Sequence, residues 1–140
     1  MKSSESRYCR CLYFSANALA RKTEKLARKS WDPVGLSPSH AYLLMLVIED
    51  PGIQPGILGE QLQLSPSTIT RLVEKLEKQK LLIRTFEGRL ANVYPTPKGK
   101  LLKPELDKAL KQFYNSYSAI LGKDESSKLV RNMNSICDKL

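Results

Sequence analysis

The sequence predicts a mainly α-helical fold carrying one small β-hairpin. Three observations lead there. Apolar residues recur at intervals of three and four along most of the chain, the pattern of helices with one buried face. Three helix starts carry a hydroxyl residue followed by proline, Ser37-Pro38, Ser65-Pro66 and Thr96-Pro97, which supplies an N-cap and then a residue preset for the first helical turn. Around Glu87-Gly88-Arg89, two short extended runs flank a glycine, as in a hairpin.

The first helix is expected from about Glu5 to Lys29, with Cys9, Leu12, Ala16, Leu19, Thr23 and Leu26 on one stripe. On that stripe Cys9 reads as a buried small hydrophobe. Trp31-Asp32-Pro33-Val34-Gly35 breaks the helix. Behind Ser37, the nearly continuous apolar run from Ala41 to Ile48 marks a central, buried helix ending at Asp50-Pro51-Gly52. Ile53-Gln54 is a short extended piece, and Pro55 opens a brief helix with Ile57, Leu58 and Leu62.

Ser65 then caps a helix whose Ile69, Leu72, Val73 and Leu76 form a clean apolar face. Its opposite face carries Ser67, Thr70, Arg71, Glu74, Lys75 and Lys78, and it ends near Gln79-Lys80. Leu82–Phe86 and Leu90–Tyr94 make the hairpin. After Thr96-Pro97, a helix bears Leu102, Leu106, Ala109, Phe113, Tyr117 and Ile120. Pro104 either kinks that helix or marks its true start. Gly122 separates it from a last helix with Leu129, Met133, Ile136 and Leu140.

Composition narrows the class. A chain of 140 residues predicts one domain. Three cysteines form no even disulfide framework. The start MKSSESRYCRCLYF lacks the apolar core of a signal peptide, and no apolar run approaches the ~20 residues of a membrane span. A soluble cytoplasmic protein without membrane attachment is the expectation. The net charge of +9 is unevenly spread: +6 over residues 1–30, −4 over 31–64, +6 over 65–103 and +1 over 104–140. Such positive blocks attract polyanions, nucleic acid first among them.

Helix, helix, helix and hairpin from 36 to 97 compose a winged helix-turn-helix. The Ser65 helix suits a major groove. Small hydroxyl residues at its start let the backbone approach closely, and free N–H groups there favour phosphate. Ser65, Ser67, Thr68 and Thr70 can meet phosphates or base edges, Arg71 guanine or phosphate, and Lys75 phosphate. On the hairpin, Arg84 and the tip residue Arg89 are further candidate contacts, Arg89 with a minor groove.

The stretch from Leu64 to Lys78 resembles the recognition helix of the multiple-antibiotic-resistance regulator (MarR) family. So do Leu36-Ser37 at a helix start and Thr96-Pro97-Lys98-Gly99 after the wing. Glu87-Gly88-Arg89 looks like a variant of that family's Asp-x-Arg wing tip, on a wing shorter and less charged than is usual there. The resemblance implies a transcriptional regulator that binds double-stranded DNA as a homodimer, at an approximate palindrome. It further implies that residues 1–35 and 98–140 supply dimerisation helices around the 36–97 winged region, and that a small anionic or aromatic effector controls binding. The three long amphipathic stripes agree, since they exceed what a winged domain of this size needs to cover itself.

Two alternatives stand beside this reading. Cys9, followed one turn later by Tyr13, is similar to the sensing segment of the family's organic-hydroperoxide branch, with Cys137 as a possible resolving thiol. The other is a non-specific architectural nucleic-acid-binding protein. No enzyme is expected, because no catalytic His/Asp pair, glycine-rich loop or cofactor motif is present. No metal is expected either. Cys9-x-Cys11 is too tight for a zinc knuckle, and the single histidine, His40, reads as a polar residue at the edge of the core.

Overall fold

The computed structural model describes all 140 residues. The helices are α1 (Leu12–Trp31), α2 (Pro38–Glu49), α3 (Pro55–Leu62), α4 (Pro66–Lys78), α5 (Pro97–Leu101), α6 (Lys103–Leu121) and α7 (Lys123–Lys139). Strands β1 (Leu82–Glu87) and β2 (Leu90–Pro95) lie between α4 and α5. The chain divides into two compact units, residues 31–109 and residues 1–30 with 110–140. The mainly helical fold with one hairpin is as the sequence predicts.

In the 31–109 unit, α2 is the central element. Ser37 caps it by accepting the His40 N–H, and Ala41, Leu43, Leu44 and Val47 are buried. Trp31 is buried and stands edge-on to Tyr42, ring centroids 5.2 Å apart. Leu58 of α3 and Ile69, Leu72, Val73 and Leu76 of α4 join this core, with Leu82 and Val93 of the hairpin and Leu106 of α6. These are the apolar positions that the spacing picks out.

Two turns rely on left-handed residues that are not glycine. Gln63, at φ 55°, closes α3, and Lys80, at φ 59°, follows the end of α4. At each, carbonyls of the preceding helix find partners: Leu64 N–H donates to Gly59 (3.1 Å) and Leu81 N–H to Leu76 (3.0 Å). Helix ends need such partners because the last carbonyls have none inside the helix.

The hairpin is antiparallel, pairing Leu82 with Pro95, Arg84 with Val93 and Phe86 with Ala91. Its turn has two central residues, Gly88 and Arg89, and Gly88 takes φ 63°. A glycine at the first of two central positions is the requirement of a type II′ turn. Ile53 bridges Val93, so the extended piece before α3 holds the base of the wing. Thr96 caps α5, and its Oγ1 also donates to the Lys80 carbonyl at 2.6 Å.

The structure corrects the first helix, which begins at Leu12 instead of Glu5. Local hydrogen bonds win over the periodicity. Ser3–Glu5 form a 3-10 turn in which the Glu5 carboxylate accepts the Lys2 N–H at 2.7 Å. Ser6 is extended, and its Oγ accepts the Tyr8 N–H. Serine and glutamate side chains offer the backbone this alternative to a helix. Cys9 therefore leaves the apolar stripe and is exposed, not buried. Pro104 proves to mark a start. It is the second residue of α6, where its missing N–H goes unneeded.

Within the 1–30 and 110–140 unit, α1, α6 and α7 line an open groove of about 660 Å³. Leu26, Phe113, Tyr117 and Met133 contribute apolar surface, with Lys22 and Lys25 beside them. The α7 stripe of Leu129, Met133 and Ile136 is exposed. No helix is long and apolar enough to cross a membrane.

Candidate nucleic-acid interface

The N-terminus of α4 is organised by Ser65. Its Oγ accepts the Thr68 N–H at 3.3 Å and also lies 2.9 Å from Thr68 Oγ1 and 3.2 Å from Ser67 Oγ. Three of the predicted contact residues thus form one hydroxyl cluster over the helix start. Thr70 donates from Oγ1 to the Pro66 carbonyl at 3.0 Å. Thr70 is nevertheless exposed. Arg71 and Lys75 are exposed on the same helix, while its other face is buried. Ser65, Ser67, Thr68, Thr70, Arg71 and Lys75 all lie at the start of α4 or away from its buried face, as their spacing predicts.

Close approach of α3 to α4 shapes the groove beside this cluster. Its lining includes Pro55, Gly56 and Gly59 of α3 and Pro66 and Thr70 of α4, around a volume of about 500 Å³. A Cβ on Gly59 would lie 3.1 Å from the Leu64 carbonyl oxygen, so glycine permits the tight turn between the two helices.

The two wing arginines differ. Arg89 is exposed at the apex. Arg84 pairs through Nη2 with Glu77 Oε1 of α4 at 2.8 Å, both side chains part-buried. Of the two, Arg89 is a free guanidinium and Arg84 ties β1 to α4. Sequence reasoning missed that tie. It also missed Lys98, whose Nζ donates to the Gln79 carbonyl at 3.0 Å and fastens α5 to the end of α4.

His40 is part-buried near this surface, its Nδ1 hydrogen-bonded to Ser37 Oγ. Burial lowers its pKa from the ordinary histidine value, and the Lys75 charge lowers it further. Lys75 thus acts electrostatically on the start of α2.

The cysteine candidates are placed differently. Cys9, Cys11 and Cys137 are all free and exposed, and Tyr13 is 79% exposed. Cys9 lies in the turn before α1, beside Ser15, whose Oγ donates to the Cys9 carbonyl at 3.4 Å. No cluster of three or more His, Cys, Asp or Glu side chains is arranged to hold a metal ion.

Residues 34–89 match the model of the MarR family. The HTH-type transcriptional regulator SarZ of Staphylococcus aureus (strain MRSA252) is 29% identical over 102 residues, 70% of this chain and 68% of SarZ. The transcriptional repressor CouR bound to p-coumaroyl-CoA superposes with a TM-score of 0.86 at 17% identity, covering 99% of this chain and 100% of that one. The S. aureus MepR–DNA complex gives a TM-score of 0.78 at 16% identity, covering 92% and 98%. At these identities the two structures speak to the fold, a winged helix with flanking helices. With its winged segment matched by the family model and SarZ similar over 70% of its length, this chain is similar to the MarR family of winged-helix regulators.

Proposed function

We propose that the protein is a cytoplasmic, sequence-specific double-stranded DNA-binding transcriptional regulator that acts as a homodimer. The observation that carries this is α4. One face is buried in the core, and the other presents Thr70, Arg71 and Lys75 behind a capped hydroxyl cluster. That arrangement fits a major groove, with Ser65, Ser67 and Thr68 near phosphates and Arg71 placed for a base edge or phosphate. Arg89 reaches an adjacent minor groove, and Arg84 contributes mainly by positioning the wing. MepR, of the same fold, is known bound to DNA, which supports this assignment.

The exposed apolar stripe of α7 and the open groove of its unit support the dimer. Burying such surface against a second copy removes it from water. In this reading residues 36–97 bind DNA, and 1–35 with 98–140 form the dimer. Two recognition helices would then meet successive major grooves about one helical turn apart. Control by a small anionic or aromatic effector is the corresponding expectation, supported by the ligand held by CouR.

Selection of bound duplexes from a random pool by the full-length protein tests the function. Enrichment of an approximate palindrome, preferred by about 10³-fold or more over random duplex at stated salt, is expected. Uniform binding to all duplexes would instead identify a non-specific architectural protein.

A further inference from the structure

We propose that the wing tip is an apolar wedge that enters the minor groove of the bound duplex and kinks it at one base step. The proposal rests on the DNA-binding function argued above and adds a mechanical role for two residues outside the recognition helix.

Phe86 is 65% exposed and Leu90 is 58% exposed, one on each arm of the hairpin beside the Gly88-Arg89 turn. Side chains alternate along a strand, so Phe86 shares a face with Arg84. Arg84 reaches Glu77 of α4, which makes that face the one turned toward the recognition helix. Phe86 lies one step nearer the tip, and its cross-strand partner is Ala91, too small to cover an aromatic ring. Leu90, paired with Glu87, projects from the opposite face. The tip therefore offers bare apolar surface on both sides of one guanidinium.

Charge does not account for this tip as a groove binder. Arg84 is neutralised by Glu77, and Glu87 stands two residues before Arg89. The apex has little net positive charge with which to hold phosphates. Apolar side chains act differently: inserted between base pairs, they unstack a step and bend the duplex toward the major groove. Phenylalanine and leucine are side chains suited to that role, and Arg89 would guide the tip into the groove by charge. The wing is continuous with the exposed face of α4 through the Arg84–Glu77 pair, so duplex DNA is the occupant to which this surface is joined. Flexible pyrimidine–purine steps bend most readily. The selected sites should accordingly carry one under each wing.

The test uses the full-length protein and a duplex recovered by selection. End-to-end fluorescence transfer reports bending, and 2-aminopurine placed at the step under the wing reports unstacking. Wild type is expected to bend the duplex by roughly 20–90° and to brighten the 2-aminopurine. The double variant Phe86→Ala/Leu90→Ala should bind more weakly, with the bend and the brightening lost. Phe86→Lys adds attraction for phosphate while removing the ring. It should bind the duplex with the bend reduced, which separates wedging from affinity. A specifically bound duplex that stays straight, or a double variant that bends it as wild type does, overturns the wedge and leaves the regulator reading standing. Wild type with no duplex preference overturns both.

Discussion

Arg84 Nη2 lies 2.8 Å from Glu77 Oε1, joining the first wing strand to the last turn of α4, with the two side chains 28% and 29% exposed. A pair this sheltered is screened less than a surface ion pair. A double-mutant cycle on Arg84→Ala and Glu77→Ala, read by urea melts, should return a coupling of about 1 kcal/mol, the upper end for pairs that retain contact with water. Because its charge is already matched, Arg84→Ala should weaken DNA binding less than Arg71→Ala. Equal losses from the two variants would place Arg84 on the DNA.

Arg71 is the exposed arginine of α4, and Lys75 stands one turn farther along. Arg71→Ala should cost about 1–3 kcal/mol of specific binding if the guanidinium meets a base, and should relax preference at that position of the site. Lys75→Ala should weaken all duplexes alike and reduce the salt slope by about 1. Titrations over a series of salt concentrations distinguish the two roles. Unchanged affinity in Arg71→Ala would remove it from the interface.

Gly99 is buried in α5, and a Cβ added there would overlap the Leu81 carbonyl oxygen. That oxygen also accepts the Thr96 N–H at 3.1 Å, so it is backbone held in place. Overpacking of this kind typically costs about 1–3 kcal/mol. Gly99→Ala should lower the denaturation midpoint accordingly. A midpoint matching wild type would mean that α5 shifts freely away from Leu81.

The accuracy of the sequence reading follows the range of the interactions. Ser37, Ser65 and Thr96 each cap the helix that their cap-then-proline signals announce, because a cap acts over three residues. The α4 face is equally legible, since one helix fixes which residues share a side. The Glu5–Cys11 segment is misread because its spacing suits a helix while Ser6 and Glu5 bond to nearby backbone instead. The turns at Gln63 and Lys80 carry no glycine to announce them. The Arg84–Glu77 tie depends on how the hairpin folds back on α4, which no local pattern encodes.

His40 couples stability to pH. Burial, with the Lys75 charge second, lowers its pKa in the folded chain below the ordinary 6.5. Between those two values the unfolded chain holds more protons than the folded one, so stability falls as pH drops through 6.5 and levels off below the folded pKa. One group contributes at most about 1.4 kcal/mol per pH unit, and partial exposure keeps His40 below that limit. Melts from pH 8 to 5 should show this loss, and His40→Gln should flatten it. A His40→Gln profile parallel to wild type would assign the acid sensitivity to other groups.

Ser65 permits capping and DNA contact to be separated. Its Oγ accepts the Thr68 N–H and gathers the hydroxyls of Ser67 and Thr68. Ser65→Ala should cost about 1 kcal/mol of stability, the usual effect of losing a hydroxyl cap. Ser65→Asp restores an acceptor, and its charge suits the positive end of the helix. Stability should therefore return to the wild-type level or above. The same carboxylate would face a phosphate if α4 docks by its N-terminus, so DNA binding should collapse while the protein stays folded. A Ser65→Asp variant that is stable and still binds its site would show that this end of α4 lies away from the DNA backbone.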